Sequence, residues 1–284
     1  MNILVAHTAD LKSRELAALV EILAEKHKVF VCGMAVDSHQ RGSSFSSVET
    51  PVMFERVDYK SQLAAVYGDT KKSFDKFSKV EAYEFYGTPS DAVSVMLSEI
   101  LTNKNKVDVV ISGINNGWHF GTDIFCSSNI AMAFQAAFEG VRGIAIGYEL
   151  KIGGHSANEM AAPAAFIKQN LDKLLKINLP PYTILNINIP ASESVKDYKG
   201  VKVPTIGKLE KLSKYIEKVD CTGEKYYWEE IVSREDKTDD ENSTANLMKS
   251  GFISIAPLTY DMTNHKRIDK FGAVLEKRAR KEAR

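Results

Sequence analysis

Val109, Val110 and Ile111 stand in unbroken succession inside the run Val107 to Ser112, and no other feature constrains the fold of this chain as strongly. A strand with one wet face alternates apolar and polar side chains, so an unbroken run suits a strand covered on both faces, as in a parallel sheet between two helical layers. The run is therefore expected at the centre of its sheet. Strand and helix signals alternate on both sides of it. Ile3 to Ala6 is a short apolar run, and Leu16, Leu19, Val20 and Leu23 follow at the spacing of a helix covering one face of a sheet. Val29 to Val31 reads as a second strand, and weaker signals lie near Val52 to Val57. The stretch from Tyr59 to Lys79 is polar and poorly periodic. Ala82 to Tyr86 leads into Gly87-Thr88-Pro89-Ser90-Asp91, where Thr88 caps a helix, Pro89 takes its first position and Asp91 closes a capping box. Val93, Met96, Leu97 and Ile100 form the buried face of that helix. A glycine-punctuated loop, Gly113 to Phe125, precedes a helix carrying Ile130, Phe134, Ala137 and Phe138, with Gly140 as its stop. Gly143 to Tyr148 and Thr183 to Ile189 are further strands, separated by a helix from Ala161 to Leu175. The pattern predicts an α/β chain with a doubly wound sheet.

The last third changes character. Leu212 to Val219 and Lys225 to Ile231 flank Cys221-Thr222-Gly223-Glu224 and read as a long hairpin bearing Tyr215, Tyr226, Tyr227 and Trp228. Such an arm packs on its own domain or meets a partner subunit, and the second outcome gains weight because no sheet is nearby in sequence. Asp236 to Glu241 reads as a solvated acidic loop, Phe252 to Leu258 as one more strand, and Asp269 to Arg284 as a charged helical tail with Phe271, Val274 and Leu275 on one side. The basic end, Lys277 to Arg284, suits a solvated helix terminus. The expected division is a core domain over 1–195, then the hairpin, closing strand and C-terminal oligomerisation segment over 196–284.

Composition excludes several function classes. At 284 residues the chain is long enough for one large α/β domain without disulfide or metal staples. Its 37 Lys+Arg balance 37 Asp+Glu, so no overall field draws it to nucleic acid or to an anionic membrane. The longest apolar runs fall short of a membrane span. Cys32, Cys126 and Cys221 cannot all pair and form no CxxC, which fits a reducing cytoplasm. The opening MNILVAH has no basic leader and reads as a buried strand, not a signal peptide.

In an open parallel sheet the ligand crevice lies beyond the carboxyl ends of the strands, which directs attention to the loops His7 to Ser13, Asp37 to Ser47 and Gly113 to Phe125. Gly113, Gly117 and Gly121 are spaced for neither a dinucleotide fingerprint nor a Walker loop. What remains is a crevice of Ser, Asn and glycine backbone followed at Ser127 by a helix start. Free N–H groups there suit an anion such as phosphate; equally, these residues serve only to cap the helix. His119 lies near the crevice, as a ligand contact or a solvated loop residue, while His27, His39, His155 and His265 show no partner spacing. Trp118 is placed to stack on a base or sugar, or to pack on its own domain.

Ser112-Gly113-Ile114-Asn115-Asn116-Gly117, then Gly121 and Cys126-Ser127-Ser128-Asn129, resembles the SGINxG...G...YSGT signature of the SurE (survival protein E) nucleotidases. Met1-Asn2-Ile3-Leu4 resembles that family's opening strand, Gly87-Thr88-Pro89-Ser90-Asp91 its GTPxD segment, Leu185 to Pro190 its LNxNxP strand, and Gly251 to Leu258 its closing GYxSxTPL strand. The ordered set spans nearly the whole chain. The resemblance implies a Rossmann-like core with a projecting β-hairpin and a C-terminal extension, homodimers or homotetramers joined through exchanged C-terminal elements, and metal-dependent removal of phosphate from nucleoside monophosphates.

The family's metal ligands are two adjacent Asp of an NDDG loop, a Ser of an RSGxS loop and the Asn of SGIN. NDDG matches His7-Thr8-Ala9-Asp10, so Thr8 and Ala9 replace both carboxylates; RSGxS matches Gln40-Arg41-Gly42-Ser43-Ser44, which puts Arg41 at the Ser ligand. Asn115 alone is retained. Mg²⁺ or Mn²⁺ is normally anchored by carboxylates, so these positions are expected to be vestigial, with no cofactor unless the protein is active. His7 and Asp10 flank the lost pair and offer a rescue with a softer metal, though Asp10 reads more simply as a helix N-cap and His7 as a strand-end polar residue. Three readings follow. The first is a phosphate- or nucleotide-binding protein with lost or much weakened phosphatase activity, using Arg41, Ser43, Asn115, Asn116, Ser127 and Asn129 for the anion, Arg41 standing in for the metal. The second is a divergent active nucleoside-monophosphate phosphatase, and the third an oligomeric scaffold keeping only the fold. The retained crevice residues favour the first.

Overall fold

The computed structural model describes residues 1–67, 75–151, 155–236 and 238–282. In chain order the strands are β1 (Asn2–Ala6), β2 (Lys28–Met34), β3 (Met53–Val57), β4 (Glu81–Tyr86), β5 (Val109–Asn116), β6 (Arg142–Tyr148), β7 (Thr183–Ile189), β8 (Val201–Lys202), β9 (Leu209–Val219), β10 (Lys225–Asp236) and β11 (Ile253–Thr259). The helices are α1 (Arg14–Ala24), α2 (Tyr59–Tyr67), α3 (Pro89–Val95), α4 (Ser128–Phe138), α5 (Ala157–Leu175), α6 (Thr244–Lys249) and α7 (Ile268–Glu282). Among the described residues, nine strands form one sheet in the order β3-β4-β2-β1-β5-β6-β7-β11-β8. Its interior, β4 through β7, is parallel, while β3 and β11 run antiparallel to their inner neighbours. The apolar run of β5 sits in the middle, paired with β1 on one side and β6 on the other.

Both faces are dry because successive side chains point opposite ways. Ile3, Val5, Val109 and Ile111 face the layer of α1 and α5, joining Leu16, Leu19, Val20, Phe166 and Leu171 in one core. Leu4, Ala6 and Val110 face α3 and α4, where they meet Ala92, Val93, Met132 and Ala136. This is the doubly wound sheet that the strand and helix periods predict. Thr88 caps α3 with the expected reciprocal box: its side chain accepts the Asp91 N–H, and the Asp91 carboxylate accepts the Thr88 N–H.

Four local readings differ from the sequence expectation. The polar stretch after Tyr59 contains α2, whose Tyr59 and Leu63 are buried; two apolar contacts one turn apart suffice where the sheet supplies the other wall. Residues 68–74 of that stretch lie outside the described residues. The short α6 and the two-residue β8 carry too little pattern to be read in advance. Asp10 does not cap α1: Ser13 accepts the Leu16 N–H, while Asp10 accepts the N–H of Lys12 in a local turn. The basic end of the tail lies partly outside the described residues.

The hairpin β9–β10 forms a separate two-stranded sheet whose Tyr215, Tyr227 and Trp228 are exposed. Its base is fixed to the loop after β5. Gly121 has φ +55°, donates its N–H to Ile206 O, and lies so near Leu209 that a Cβ would fall 2.3 Å from the Leu209 nitrogen. Beyond residue 196 the chain also returns to the main sheet through β8 and β11. None of the helices among the described residues is long and apolar enough to cross a membrane.

Candidate functional site

The chain winds outward from β1 to β2 and β4, then returns to place β5 on the other side of β1, so the topological switch lies between β1 and β5. A crevice is expected at the carboxyl ends of that pair. A cleft of about 240 Å³ opens there, with Asn115 and Asn116 from the end of β5, Gly117, Trp118 and His119 from the loop that follows, Asp123, Cys126 and Ser127 before α4, His39 and Gln40 from the loop after β2, and Leu150 and Ile231 also lining it.

Three hydrogen bonds hold the strand ends together beneath it. His7 is buried; its Nδ1 accepts the Ala9 N–H at 3.2 Å, which leaves Nε2–H to donate to Ile114 O at 3.3 Å. Burial, reinforced by the nearby His39, pushes its pKa below the usual imidazole value, so His7 is a neutral tie between β1 and β5. Thr8 is wholly buried, and its Oγ1 lies 2.6 Å from His39 Nδ1. His39 in turn lies 3.3 Å from Asp37 Oδ1 through Nε2.

The segment from Ser38 to Gly42 is clamped over the start of α4. Ser128 N–H donates to His39 O at 3.1 Å, the Ser128 hydroxyl donates to Ser38 O, Arg41 N–H donates to Ser128 Oγ at 2.9 Å, and Gly42 N–H donates to Cys126 O at 2.9 Å. Ser127 Oγ accepts the Ile130 N–H as the N-cap of α4. The helix start therefore has two of its first N–H groups already engaged, by His39 O and by Ser127 Oγ.

The loop after β5 is held from below. His119 is buried; Asn188 Oδ1 accepts its N–H at 2.6 Å, and Asn186 and Asn188 both donate to its carbonyl, at 2.9 and 3.1 Å. Asn115 Nδ2 donates to Gly117 O at 3.1 Å and to His119 Nε2 at 3.2 Å, which puts the ring proton on Nδ1, an atom without a partner among the described residues. Burial pushes the His119 pKa down to about 4. His119 is thus enclosed and neutral, where a solvated loop residue was the alternative to a ligand contact. Trp118 packs edge-on against Phe120 and donates Nε1–H to Ile189 O.

The sequence-derived candidates divide among three places. Asn115, Asn116 and Ser127 line the cleft, although both amide groups of Asn116 are taken by the Lys151 backbone. Asn129 is buried and accepts from the Ser112 hydroxyl at 2.8 Å. Arg41 is exposed and is not among the residues lining the cleft; Ser43 borders a different groove, with Phe125, Phe134, Phe138 and Tyr260. Thr8 stands beneath the cleft, and Ala9 bridges β1 and β2 through its carbonyl, which accepts from Met34 N–H. His39 and Gln40 enter the cleft from a loop that was expected near the site, but no spacing singled them out. The available signal was an imidazole in the loop after β2.

Hard divalent cations are anchored by carboxylates. Thr8, Ala9 and Asn115 supply none, His7 has both ring nitrogens turned to backbone groups, and Asp10 is exposed with its Oδ1 on Lys12 N–H. Among the described residues no three His, Cys, Asp or Glu side chains are grouped as a metal would need. The donor set does not fit Mg²⁺ or Mn²⁺.

A family model described as survival protein SurE matches residues 3–212. The protein named 5'-nucleotidase SurE from Thermoanaerobacter sp. (strain X514) is 29% identical over 271 residues, covering 95% of this chain and 96% of that protein. The protein of the same name from Caldanaerobacter subterraneus subsp. tengcongensis is 33% identical over 192 residues, covering 67% and 71%. The crystal structure of the SurE protein from Aquifex aeolicus matches in fold with a TM-score of 0.71 at 24% identity, covering 96% of this chain and 98% of that one.

Proposed function

The chain belongs to the survival protein SurE family, and from that premise we propose that it binds a phosphate ester, a nucleoside monophosphate by class, in the cleft above β1 and β5, with metal-dependent phosphatase activity lost or much weakened. The observation that carries this reading is the donor set at the end of β1, where a buried Thr8 hydroxyl and the Ala9 backbone stand in place of carboxylates. A divalent metal, where a family member holds one, polarises the phosphate and activates water. In this chain the binding groups are those of the cleft: the Ser127 hydroxyl proton and the backbone of a loop held rigid by Asn186 and Asn188, with Asn115 positioning that loop through Gly117 O and His119 Nε2. Trp118, Leu150 and Ile231 give the same cleft an apolar wall for the sugar or base.

The same proposal includes a homodimer or homotetramer, supported by the exposed aromatic hairpin and by the unpaired apolar side of α7, where Phe271, Val274 and Leu275 face solvent. It also places the chain in a reducing cytoplasm, where Cys32, Cys126 and Cys221 remain thiols. A second reading, an active nucleoside-monophosphate phosphatase, is favoured by the names of the relatives, which are called 5'-nucleotidase SurE across 95% of this chain. A phosphatase assay on nucleoside monophosphates and an aryl phosphate, comparing Mg²⁺, Mn²⁺ and chelator, separates the two. Unchanged near-background rates are expected; metal-stimulated turnover establishes the second reading instead.

A further inference from the structure

We propose that the cavity at the carboxyl ends of β6 and β7 is a second ligand site, and that it takes a small aliphatic amine in its ammonium form. The inference does not depend on the reading of the phosphate cleft, with which the cavity shares only Leu150.

The cavity has a volume of about 390 Å³. The segment after β6 brings Glu149 and Lys151 to it, the start of α5 and the residues before it bring Glu159 and His155, and the segment after β7 brings Ser192 and Glu193. Loops beyond the carboxyl ends of parallel strands converge in this way in an open sheet.

His155 is the observation that points to a ligand. It lines the cavity at 3% exposure, and neither of its ring nitrogens has a hydrogen-bond partner among the described residues. The ring is nonetheless fixed: it meets the Tyr148 ring edge-on with centroids 4.6 Å apart, and the His155 backbone N–H donates to Glu15 Oε1 at 3.2 Å, while Glu15 Oε2 accepts the Ser13 hydroxyl at 2.9 Å. A buried polar atom without a partner carries a desolvation cost that a contact inside the cavity relieves. Burial holds the His155 pKa below the usual imidazole value, so the ring is neutral and offers one lone pair beside one N–H.

The rest of the lining decides the sign of the occupant. Glu149, Glu159 and Glu193 stand against a single cation, Lys151, and Lys151 is engaged by Glu159 at 2.6 Å. Glu149 has one oxygen on the Ala191 N–H at 3.0 Å, and Glu193 has no partner among the described residues. Two carboxylates are therefore uncompensated, which repels an anion and gives a neutral molecule no advantage. A metal ion does not answer them, because among the described residues no three His, Cys, Asp or Glu side chains are grouped as a metal would need. An ammonium group does: its N–H groups donate to the imidazole lone pair and to the carboxylates, and its alkyl chain lies against Tyr148 and Leu150. Lys151 is joined to the neighbouring cleft through Asn116, whose amide accepts the Lys151 N–H at 2.8 Å and donates to its carbonyl at 2.9 Å, so the test needs a phosphate arm to tell the two sites apart.

Titration calorimetry on the full chain with putrescine, n-butylamine and the uncharged 1,4-butanediol tests the assignment. The two amines are expected to bind, more weakly as salt is raised, and the diol is not. His155→Phe is expected to weaken putrescine binding by roughly tenfold or more, and Glu193→Gln by about threefold. Melting curves check the fold of each variant; the exposed Glu193→Gln and the double change with Glu149→Gln carry the test if His155→Phe does not fold. NMR of the unmutated protein is expected to show the His155 ring nitrogens moving with putrescine and staying in place with inorganic phosphate or Mg²⁺. Amines that do not bind, a diol that binds equally well, native affinity in the folded variants, or His155 signals that are unmoved by putrescine overturn the proposal. His155 signals that move with phosphate or Mg²⁺ instead overturn it as well, by giving the cavity a different occupant.

Discussion

Asn188 holds both backbone polar groups of His119: its Oδ1 accepts the His119 N–H at 2.6 Å and its Nδ2 donates to the His119 carbonyl at 3.1 Å. One side chain of β7 thereby fixes the loop that follows β5, across the intervening β6. The Asn186-Ile187-Asn188 alternation has its physical reason here, since two asparagines on one face of a strand reach the same buried carbonyl.

Asn188→Leu keeps the volume and removes both bonds. The buried His119 N–H then has no acceptor, at a cost of about 1–3 kcal/mol. The thermal midpoint is expected to drop by several degrees, with Trp118 fluorescence changing as the loop loosens. A midpoint equal to native would show that the loop does not depend on this contact.

Gly147 in β6 lies where a Cβ would fall 2.6 Å from Gly117 O, 2.9 Å from Asn188 Oδ1 and 3.2 Å from Trp118 Cα. Gly147→Ala therefore pushes the cleft loop away from the sheet. Overpacking of this kind costs about 1–3 kcal/mol, and weakened ligand binding is expected with it. Melting curves and phosphate titration of the variant check both effects.

The buried His119 makes stability fall in acid. Its folded pKa of about 4 lies below the ordinary imidazole value, so between pH 6.5 and about 4 the unfolded chain binds the proton and the folded chain does not. Stability from this residue is present above pH 6.5 and lost as pH falls toward 4, by up to about 3 kcal/mol. Denaturant midpoints measured from pH 7 to 4 are expected to show this slope, and His119→Gln should flatten it. An equal slope in the variant would assign the acid sensitivity to other groups.

Tyr215, Tyr227 and Trp228 on the hairpin and Phe271 and Leu275 on α7 leave much apolar surface in contact with water in one chain. Light scattering is expected to give the mass of two or four chains of 31.6 kDa. Removing the aromatic side chains of the hairpin should lower that mass. A monodisperse single chain at assay concentration would discard the oligomer.

The layered sheet was readable from the amino acids alone because burial writes itself into sequence as a period. Val109-Val110-Ile111 demanded cover on both faces, Leu16 to Leu23 offered one helical stripe, and Thr88-Pro89-Ser90-Asp91 carried a complete helix start within a few residues. The position of the crevice followed from the same order, since strand ends and loops alternate along the chain. Short elements such as β8 and α6 have too few residues for a period, and the contacts that define them come from distant strands.

Within the crevice, residue types were legible and their partners were not. Thr8 and His39 are 31 residues apart and His119 and Asn188 are 69 apart; no spacing rule connects them. Sequence determined that positions 8 and 9, just beyond β1, carry no carboxylate and that Asn115 and Ser127 flank the loop after the central strand. Tertiary structure alone decided that His39 lines the cleft while Arg41 does not, because the clamp of Ser38 to Gly42 on Cys126 and Ser128 sets the direction of each side chain in that loop. A local sequence specifies local dihedrals and caps. The orientation of a loop side chain is set by hydrogen bonds whose two ends are brought together only when the sheet is complete.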